Sequence, residues 1–227
     1  MSQKKVVETF DEWAETGRDA GMEEGHGDVV RQAIARMEVR AGERILDLGC
    51  GNGWATRLLA QANAGVQAIG VDASAKMIAR AEELHSLTIR ARYELASFEE
   101  LSFRDASFDR VFSMEAFYYA ADLGKAIGEA WRVLKPGGRA EVLVDYFEES
   151  PASEPWARVI GAELHRLDGD GWRHAFERAG FSPVALERLR DTRPTDASPC
   201  DECEPTAAAK KALREAGTLW IRAAKPR

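Results

Sequence analysis

Two kinds of hydrophobic pattern alternate along the chain from residue 43 onward. Short apolar runs bounded by polar or glycine positions are typical of buried strands, and apolar residues that recur every three or four positions are typical of helices. The predicted strands are residues 44–48, 66–71, 88–95, 108–114, 140–144, 184–189 and 219–224. The predicted helices are residues 54–63, 75–84, 122–134, 156–167 and 172–179, with a further short one that ends at residue 216.

Strands that alternate with helices predict a mostly parallel sheet with helices on both faces. In such an α/β fold the ligand crevice lies at the carboxyl ends of the strands. A glycine-rich segment follows the first predicted strand, and Asp72, Ser97 and Glu115 come at the ends of the next three. We therefore expect the functional site at this edge of the sheet.

Two regions fall outside the alternation. Residues 1–42 predict an N-terminal helical arm with a glycine-rich break at positions 21, 25 and 27, and we interpret this arm as a lid. Residues 191–206 are rich in proline and acidic residues, and long loops inside a compact domain are often lids. The predicted organisation is an arm over 1–42 and a domain over 43–227, with a lid-like insertion at 191–216.

Composition narrows the classes of function. A chain of 227 residues with 45% hydrophobic content fits one globular domain. The net charge of −7 argues against nucleic acid as a partner, because phosphate binding requires clustered lysine and arginine. No apolar run approaches the roughly 20 residues of a membrane span, and the first residues are unlike a signal peptide. We expect a cytoplasmic protein, either a monomer or a homodimer.

The segment ILDLGCGNGW at residues 45–54 places glycines at 49, 51 and 53 directly after a strand. Glycine lets a backbone approach a ligand closely and adopt a positive φ angle. A dinucleotide-binding loop requires a small residue where Trp54 stands, and a nucleotide phosphate loop ends in Gly-Lys-Ser/Thr, which this loop lacks. The loop therefore predicts a ligand other than NAD, FAD or ATP.

Four motifs in order carry a family resemblance. D-x-G-x-G-x-G at 47–53, GVDAS at 70–74, SFDRVFS at 107–113 and EAWRVLKPGGRAEV at 129–142 resemble the motifs of class I S-adenosylmethionine-dependent methyltransferases. The resemblance covers about residues 43–147, and AGF at 179–181 and TLWIRAAK at 218–225 are similar to later segments of the family. It implies a Rossmann-like three-layer α/β/α sandwich, a seven-stranded sheet with an antiparallel last strand, and S-adenosylmethionine as cofactor.

The resemblance also implies which residues contact the cofactor. Asp72 would accept hydrogen bonds from the ribose hydroxyls, and Ser97 stands where the family usually has an acid near the adenine. Arg18 of the arm is a candidate partner for the cofactor carboxylate. The full set of predicted cofactor-binding residues is Arg18, Asp47, Gly49, Gly51, Gly53, Asp72, Ala73, Ser97, Phe98 and Met114.

Glu115 follows the fourth predicted strand, where the methyl donor is expected. The segment SMEAFYYAAD resembles the glutamate-containing segment of natural-product methyltransferases, which makes Glu115 the predicted catalytic residue. A carboxylate there acts either as a general base or as a group that steadies the cationic centre. The predicted acceptor is a small organic molecule; the alternatives are methylation of protein or RNA, and a non-catalytic cofactor-binding domain.

Two further features have weaker interpretations. His26 lies between two glycines and is expected to be a capping or surface histidine rather than a catalytic one. Cys200 and Cys203 form a single C-x-x-C, and zinc requires about four ligands, so no metal is predicted. A thiol site for a soft acceptor such as arsenic is the minor alternative.

Overall fold

A seven-stranded sheet organises the molecule in the computed structural model, which describes residues 2–86, 88–193 and 207–227. The strand order is β3-β2-β1-β4-β5-β7-β6, and only β7 runs antiparallel to its neighbours. The predicted α/β fold, with an antiparallel last strand, is confirmed. The strands are β1 Arg44–Leu48, β2 Gln67–Asp72, β3 Ala91–Leu95, β4 Phe108–Met114, β5 Leu134–Val144, β6 Val184–Leu189 and β7 Thr218–Ala224.

Helices cover both faces of this sheet. The helices are α1 Ser2–Thr16, α2 Gly21–Arg36, α3 Trp54–Ala60, α4 Ala75–Glu83, α5 Leu123–Val133, α6 Trp156–Ile160, α7 Gly169–Arg178 and α8 Ala207–Ala216. Short 3-10 turns are Arg18–Ala20, Phe117–Tyr119 and Pro151–Ser153.

Alternation along the strands divides the buried side chains into two cores. Leu46 of β1 and Val142 of β5 point to the face where α5 and α7 pack. Ile45 and Leu143, one position away on the same strands, point to the face where α2, α3 and α4 pack. This period of two is the physical basis of the three-layer arrangement.

The N-terminal arm differs from the prediction in where it breaks. The break lies at Gly17, whose φ of 75° separates α1 from a short 3-10 turn. Helix α2 then runs without interruption through Gly21, Gly25 and Gly27, because its packing against α3 outweighs the low helix propensity of glycine. A side chain at Gly27 would meet the guanidinium of Arg31, the end of a flexible side chain that can move aside.

The predicted helix at 156–167 is wrong after its first turns. Helix α6 ends at Ile160, because Gly161 adopts a left-handed conformation with φ of 70°. The chain is then held in an extended path by His165, whose backbone N–H donates to Tyr118 O at 3.0 Å. The ring Nε2 of His165 also lies 2.9 Å from Ala120 O.

Other boundaries shift by a few residues. Helix α3 ends three residues earlier than predicted, and β3 begins three residues later. Helix α7 begins at Gly169 rather than residue 172, because the Asp168 side chain accepts from Gly171 N at 2.6 Å and caps the helix. Strand β5 begins at Leu134 and runs through the Pro-Gly-Gly sequence.

The structure tests some of the predictions made for the C-terminal region and for membrane spans. Helix α8 confirms the short helix that ends at Ala216, whereas Cys200 and Cys203 lie outside the described residues. Among the described residues, no helix is long and apolar enough to cross a membrane.

One core residue is a carboxylic acid. Asp47 in β1 is only 1% exposed; its Oδ2 accepts from Thr56 Oγ1 at 2.6 Å, and its Oδ1 has no hydrogen-bond partner among the described residues. Burial raises the pKa of Asp47 from 3.8 to about 7, against the opposing effect of the Thr56 hydrogen bond. Because the ionised form is disfavoured in the folded state, Asp47 lowers stability increasingly as pH rises toward 7.

Replacement of Asp47 by asparagine should therefore stabilise the protein at pH 8. We expect the free energy of unfolding, measured by urea denaturation, to increase by about 1–2 kcal/mol, since a neutral amide costs less to bury than a carboxylate. The gain should shrink as pH falls from 7 toward 4, where Asp47 is protonated in the folded wild type and increasingly protonated in the unfolded chain.

Asp109 provides the control with the opposite sign. Burial raises its pKa, but hydrogen bonds from Arg44 N and from Lys135 outweigh this and lower it below 3.8. Asp109→Asn should destabilise the protein at pH 8, and this loss should fade as pH falls below 4. Destabilisation at pH 8 by Asp47→Asn would contradict the conclusion that burial of the ionised Asp47 carboxylate lowers the stability of the protein.

Candidate active site

The carboxyl ends of β1, β2, β4 and β5 form one edge of the sheet, and the N-terminal arm lies along it. Helix α1 packs against α4, and α2 packs against α3. Asp11 of α1 accepts from Ser74 Oγ at 2.5 Å, where α4 begins. At the other end of the arm, Asp28 of α2 accepts from Thr192 N at 2.8 Å. The arm is therefore anchored at both ends of the edge that carries the predicted site.

The glycine loop after β1 folds back onto the end of β2. The backbone N–H groups of Gly49 and Cys50 both donate to Val71 O, at 2.9 and 3.0 Å. Gly51 N donates to Asp72 Oδ2 at 2.8 Å. These three bonds fix the loop beside the Asp72 carboxylate.

The three glycines of the loop are required by their backbone and by their neighbours. All three have positive φ angles, which side chains rarely tolerate. A side chain at Gly49 would overlap the methyl group of Ala116, and one at Gly53 would overlap the ring of Tyr93. Only Gly51 faces a movable group, the thioether of Met22 on the arm. From the sequence, close approach of a ligand was the reason for all three glycines. The structure adds a packing reason for Gly49 and Gly53.

Asp72 holds the loop and the start of α4 together. Its Oδ1 accepts from Ser74 N at 2.9 Å, while Oδ2 accepts from Gly51 N. Burial raises the pKa of Asp72 above 3.8, and the backbone hydrogen bonds from Ser74, Gly51 and Ala73 partly counter that effect. A carboxylate oxygen can accept more than one hydrogen bond, so Asp72 keeps acceptor capacity for a ligand.

Two buried carboxylate oxygens near this loop have no hydrogen-bond donor among the residues that the structure describes. One is Asp47 Oδ1, beneath the loop. The other is Oδ1 of Asp19, a fully buried residue of the arm whose Oδ2 accepts from Asn52 Nδ2 at 2.9 Å. Arg80 Nε is 3.5 Å from the same Oδ2. A ligand with N–H donors next to the loop would satisfy such oxygens.

The predicted adenine-side residues lie beyond Asp72. Phe98 is buried and stacks on Phe117 with ring centroids 5.8 Å apart, and its edge approaches Gly49. Ser97 Oγ accepts from Glu99 N at 3.2 Å and lies 3.5 Å from Gln3 Nε2 of the arm. The Ser97 hydroxyl is therefore in use within the protein, although a hydroxyl has further donor and acceptor capacity.

Of the other predicted cofactor-binding residues, Arg18 is exposed and Met114 is buried. Arg18 is exposed, and its guanidinium stacks over Trp13, 4.4 Å from the ring centroid. The neighbouring arm residue, Asp19, points into the protein instead. Met114 is buried at the end of β4, in the core that also holds α2 and α3.

Glu115 begins the turn after β4 with an unusual backbone conformation, φ of 54°. Its Oε2 accepts from Tyr118 Oη at 2.5 Å, and its Oε1 accepts from the backbone N–H of Asp145. Burial, together with the charge of Asp145, raises the pKa of Glu115 from 4.5 to about 7. A positive φ in a non-glycine residue is costly, so the fold holds this carboxylate in a fixed place at some expense.

Aromatic rings from several elements surround Glu115. Tyr119 Oη accepts from Trp156 Nε1 at 2.7 Å, and its ring packs at 4.4 Å from the ring of Tyr118. Phe10 of α1 meets Tyr119 edge-on at 5.2 Å, and Trp13 meets Trp156 at 5.9 Å. These rings form a largely apolar wall near the carboxylate. The Tyr119 hydroxyl and the Trp156 N–H are the polar groups of this wall.

The sequence interpretation of His26 needs correction. His26 lies within α2, not in a turn, and its Nδ1 is 3.2 Å from Asp145 Oδ2. Asp145 was not singled out, yet it directly follows β5 as Asp72 ends β2, and this position was the available signal. Asp19 and Asn52 were also missed, and their contact depends on tertiary packing that no local pattern encodes. Within the described ranges, no group of three or more potential metal ligands occurs.

Comparisons with known proteins agree with this geometry. Residues 46–142 match the family described as a methyltransferase domain. The 27-O-demethylrifamycin SV methyltransferase of Amycolatopsis mediterranei is 31% identical over 78% of this chain and 68% of its own length. The O-methyltransferase resE of Aspergillus sclerotiorum is 28% identical over 79% of this chain and 70% of its own length.

A solved structure is similar over nearly the whole chain. It is a methyltransferase chain in complex with the Haloferax volcanii Trm112 methyltransferase activator, with a TM-score of 0.86 and 36% identity. The match covers 96% of this chain and 98% of that one. With the glycine loop, the acid at the end of β2 and the strand order, these similarities place the chain among the class I S-adenosylmethionine-dependent methyltransferases, enzymes that use this cofactor as methyl donor.

Proposed function

We propose that this enzyme transfers the methyl group to a small organic acceptor bound beside Glu115. The observation that carries the proposal is the setting of this carboxylate: it is held by two hydrogen bonds, has a pKa of about 7 and stands against tyrosine and tryptophan rings. A relative of similar sequence is named for O-methylation of a small molecule. The net charge of −7 supports the exclusion of nucleic acid.

The residues around the glycine loop fit the cofactor. S-adenosylmethionine carries a cationic ammonium group, and the orphan oxygens Asp47 Oδ1 and Asp19 Oδ1 are acceptors without donors on either side of the loop. Asp72 retains acceptor capacity for ribose hydroxyls, and Phe98 offers a buried aromatic edge next to Gly49. We propose that Ala73, Ser97, Met114 and the glycines line the same site. The exposed position of Arg18 means that it would have to leave Trp13 to reach the cofactor carboxylate.

Catalysis in this proposal rests on orientation and on one proton transfer. When bound, the cofactor supplies the methyl group, whose bond to sulfur breaks with its electron pair left on sulfur as the acceptor atom forms the new bond. Glu115 accepts the proton that a hydroxyl acceptor releases, and a pKa near 7 suits that role at neutral pH. The arm and the aromatic wall hold acceptor and donor in line and exclude water.

The Asp72 assignment predicts a large effect on cofactor binding. Asp72→Ala removes the acceptor for ribose hydroxyls and also frees the N–H of Gly51 from its anchor. We expect the affinity for S-adenosylmethionine, measured by isothermal titration calorimetry, to fall by about 2–4 kcal/mol. Asp105→Ala, at a highly exposed site, serves as the matched control and should leave the affinity unchanged. Equal affinities in both variants would remove Asp72 from the cofactor site.

The Glu115 assignment predicts a loss of turnover without a loss of cofactor. Glu115→Gln keeps the size of the side chain but removes the base, so methyl transfer to a hydroxyl acceptor should slow about 10²–10⁴-fold while cofactor affinity stays constant. The wild-type rate should rise as pH increases through about 7, where Glu115 ionises, and this rise should disappear in the variant.

Glu177 on α7 is exposed and is the matched control for this glutamine substitution. Glu177→Gln should reproduce the wild-type rate and pH profile. A Glu115→Gln enzyme with normal turnover on an alcohol would show that Glu115 takes no proton and only lines the acceptor site.

A second candidate is that this chain is the catalytic subunit of a complex with an activator protein and methylates a macromolecule. Its support is the 36% identity, over 96% of the chain, to a methyltransferase solved with the Trm112 activator. Its acceptor would then be protein or RNA. The monomeric or homodimeric state and the cytoplasmic location remain predictions of the first candidate.

Purified Haloferax volcanii Trm112 is the probe that separates the two candidates. If the chain acts alone, the two proteins should elute separately in size-exclusion chromatography, and Trm112 should leave the thermal stability of the enzyme unchanged. Co-elution together with a rise in the melting temperature would favour the activator complex and a macromolecular acceptor.

A further inference from the structure

The N-terminal arm contributes a charged group to the catalytic edge. His26 of α2 and Asp145 at the end of β5 lie 3.2 Å apart, and their side chains are 30% and 24% exposed. Neither side chain is therefore fully buried.

This pair is connected directly to Glu115. The backbone N–H of Asp145 donates to Glu115 Oε1, so one residue contacts both the histidine and the proposed base. Tyr118 holds the other oxygen of Glu115, and Tyr118 in turn touches Tyr119. The four groups His26, Asp145, Glu115 and Tyr118 form one continuous polar network that spans α2, β5 and the turn after β4.

The segment that follows β6 fixes the arm on both sides of His26. Arg193 donates to the carbonyl oxygens of Glu24 and Gly25, just before the histidine. Thr192 N donates to Asp28 two residues after it. Arg193 is itself paired with Asp191. These contacts set the position of His26 over Asp145.

The charges of the network act on one another. Burial lowers the pKa of His26, but the hydrogen bond to Asp145 and the charges of Asp145 and Glu115 outweigh it, so the pKa lies above 6.5. Arg193 acts in the opposite sense on His26. For Glu115, burial and the charge of Asp145 raise the pKa, whereas His26 and the hydrogen bonds from Tyr118 and Asp145 lower it. Two neighbouring carboxylates thus share one nearby cation.

We propose that His26 and Asp145 are positioning residues of the catalytic site, through which the docked arm supplies a positive charge that favours the ionised form of Glu115, the form that accepts the proton of a hydroxyl acceptor. The inference rests on the proposed role of Glu115. Under it, the arm is a chemical part of the site as well as a cover: when α2 is docked, His26 lies beside Asp145 and close to Glu115, and when α2 is displaced, Glu115 holds its proton to higher pH and is a less available base.

The two members of the pair should change the titration of Glu115 in opposite directions. The readout is ¹³C NMR of carboxyl-labelled glutamate in the full-length protein, with Glu115→Gln to assign the signal. His26→Gln removes the cation, and the midpoint of Glu115 should move to higher pH by about one pH unit. Asp145→Asn removes the neighbouring anion, and the midpoint should move lower by a similar amount. The double variant should return close to the wild-type value.

Exposed residues of α7 provide matched controls. His174→Gln and Asp170→Asn make the same chemical changes away from the site and should leave the Glu115 midpoint in place. In turnover assays, His26→Gln should move the acid limb of the rate profile to higher pH and largely retain the rate on the alkaline plateau. Circular dichroism of each variant checks that the fold is intact.

The outcomes separate this inference from the proposed function. An unchanged Glu115 midpoint in both folded variants, or movement in the same direction, would overturn the positioning pair even if the enzyme methylates a small acceptor. Opposite movements of the midpoint would support the pair even if no small acceptor is turned over, because the titration requires no substrate. In that case only the assignment of the acceptor would fail.

Discussion

The burial of several carboxylates at one edge of the sheet is the constraint to which the rest of the structure responds. Like charges held close together and away from water are costly unless donors or cations compensate them. Protein cations near these acids are few among the described residues: Arg80 faces Asp19, and His26 faces Asp145. The acids concerned are Asp19, Asp47, Asp72, Glu115 and Asp145.

Backbone N–H groups provide many of the hydrogen bonds that compensate the buried carboxylates. The glycine loop directs one at Asp72, the start of α4 directs others, and the end of β5 directs one at Glu115. Among the described residues, Asp47 Oδ1 and Asp19 Oδ1 near the loop still have no hydrogen-bond donor. S-adenosylmethionine carries a sulfonium and an ammonium group beside its carboxylate, and in the proposed function these cations face this edge. Under that proposal, the acids that are costly to bury in the free protein contribute to cofactor affinity and provide a base near neutral pH.

Regular segments of the fold were predictable because the sequence carries their signals locally. The bounds of β4 and β6 match their apolar runs, and Ser74 and Asp122 cap the helices that they precede. The helix predicted to continue beyond Ile160 failed because one left-handed glycine outweighed a helical spacing. The arm was predicted as helical, but its break was placed at the wrong glycines.

The candidate site divides in the same way. Asp72 is the last residue of β2 and Glu115 directly follows β4, so both candidates could be found from their positions at strand ends. The residues that complete it come from contacts between distant segments. The partner of His26, Asp145, directly follows β5 and is distant in sequence, so the sequence alone suggested a surface histidine. The burial of Asp19 likewise depends on how the arm packs. Sequence patterns identify what a strand end presents; they do not identify what another element brings to it.

The anchoring of the arm also has a consequence for the order of folding. Asp28 and Thr192 are 164 positions apart, and the arm is synthesised before the strands that it contacts. Contacts of such long sequence separation close late, because the entropy of the intervening loop must be lost before they form. The arm can pack against α3 and α4 early, but its contacts with Asp145 and Thr192 form only after β5 and β6 have been made. The enzyme gains its full set of charges at the edge only as the last strands emerge, so an unfinished chain carries the motif but lacks the assembled site.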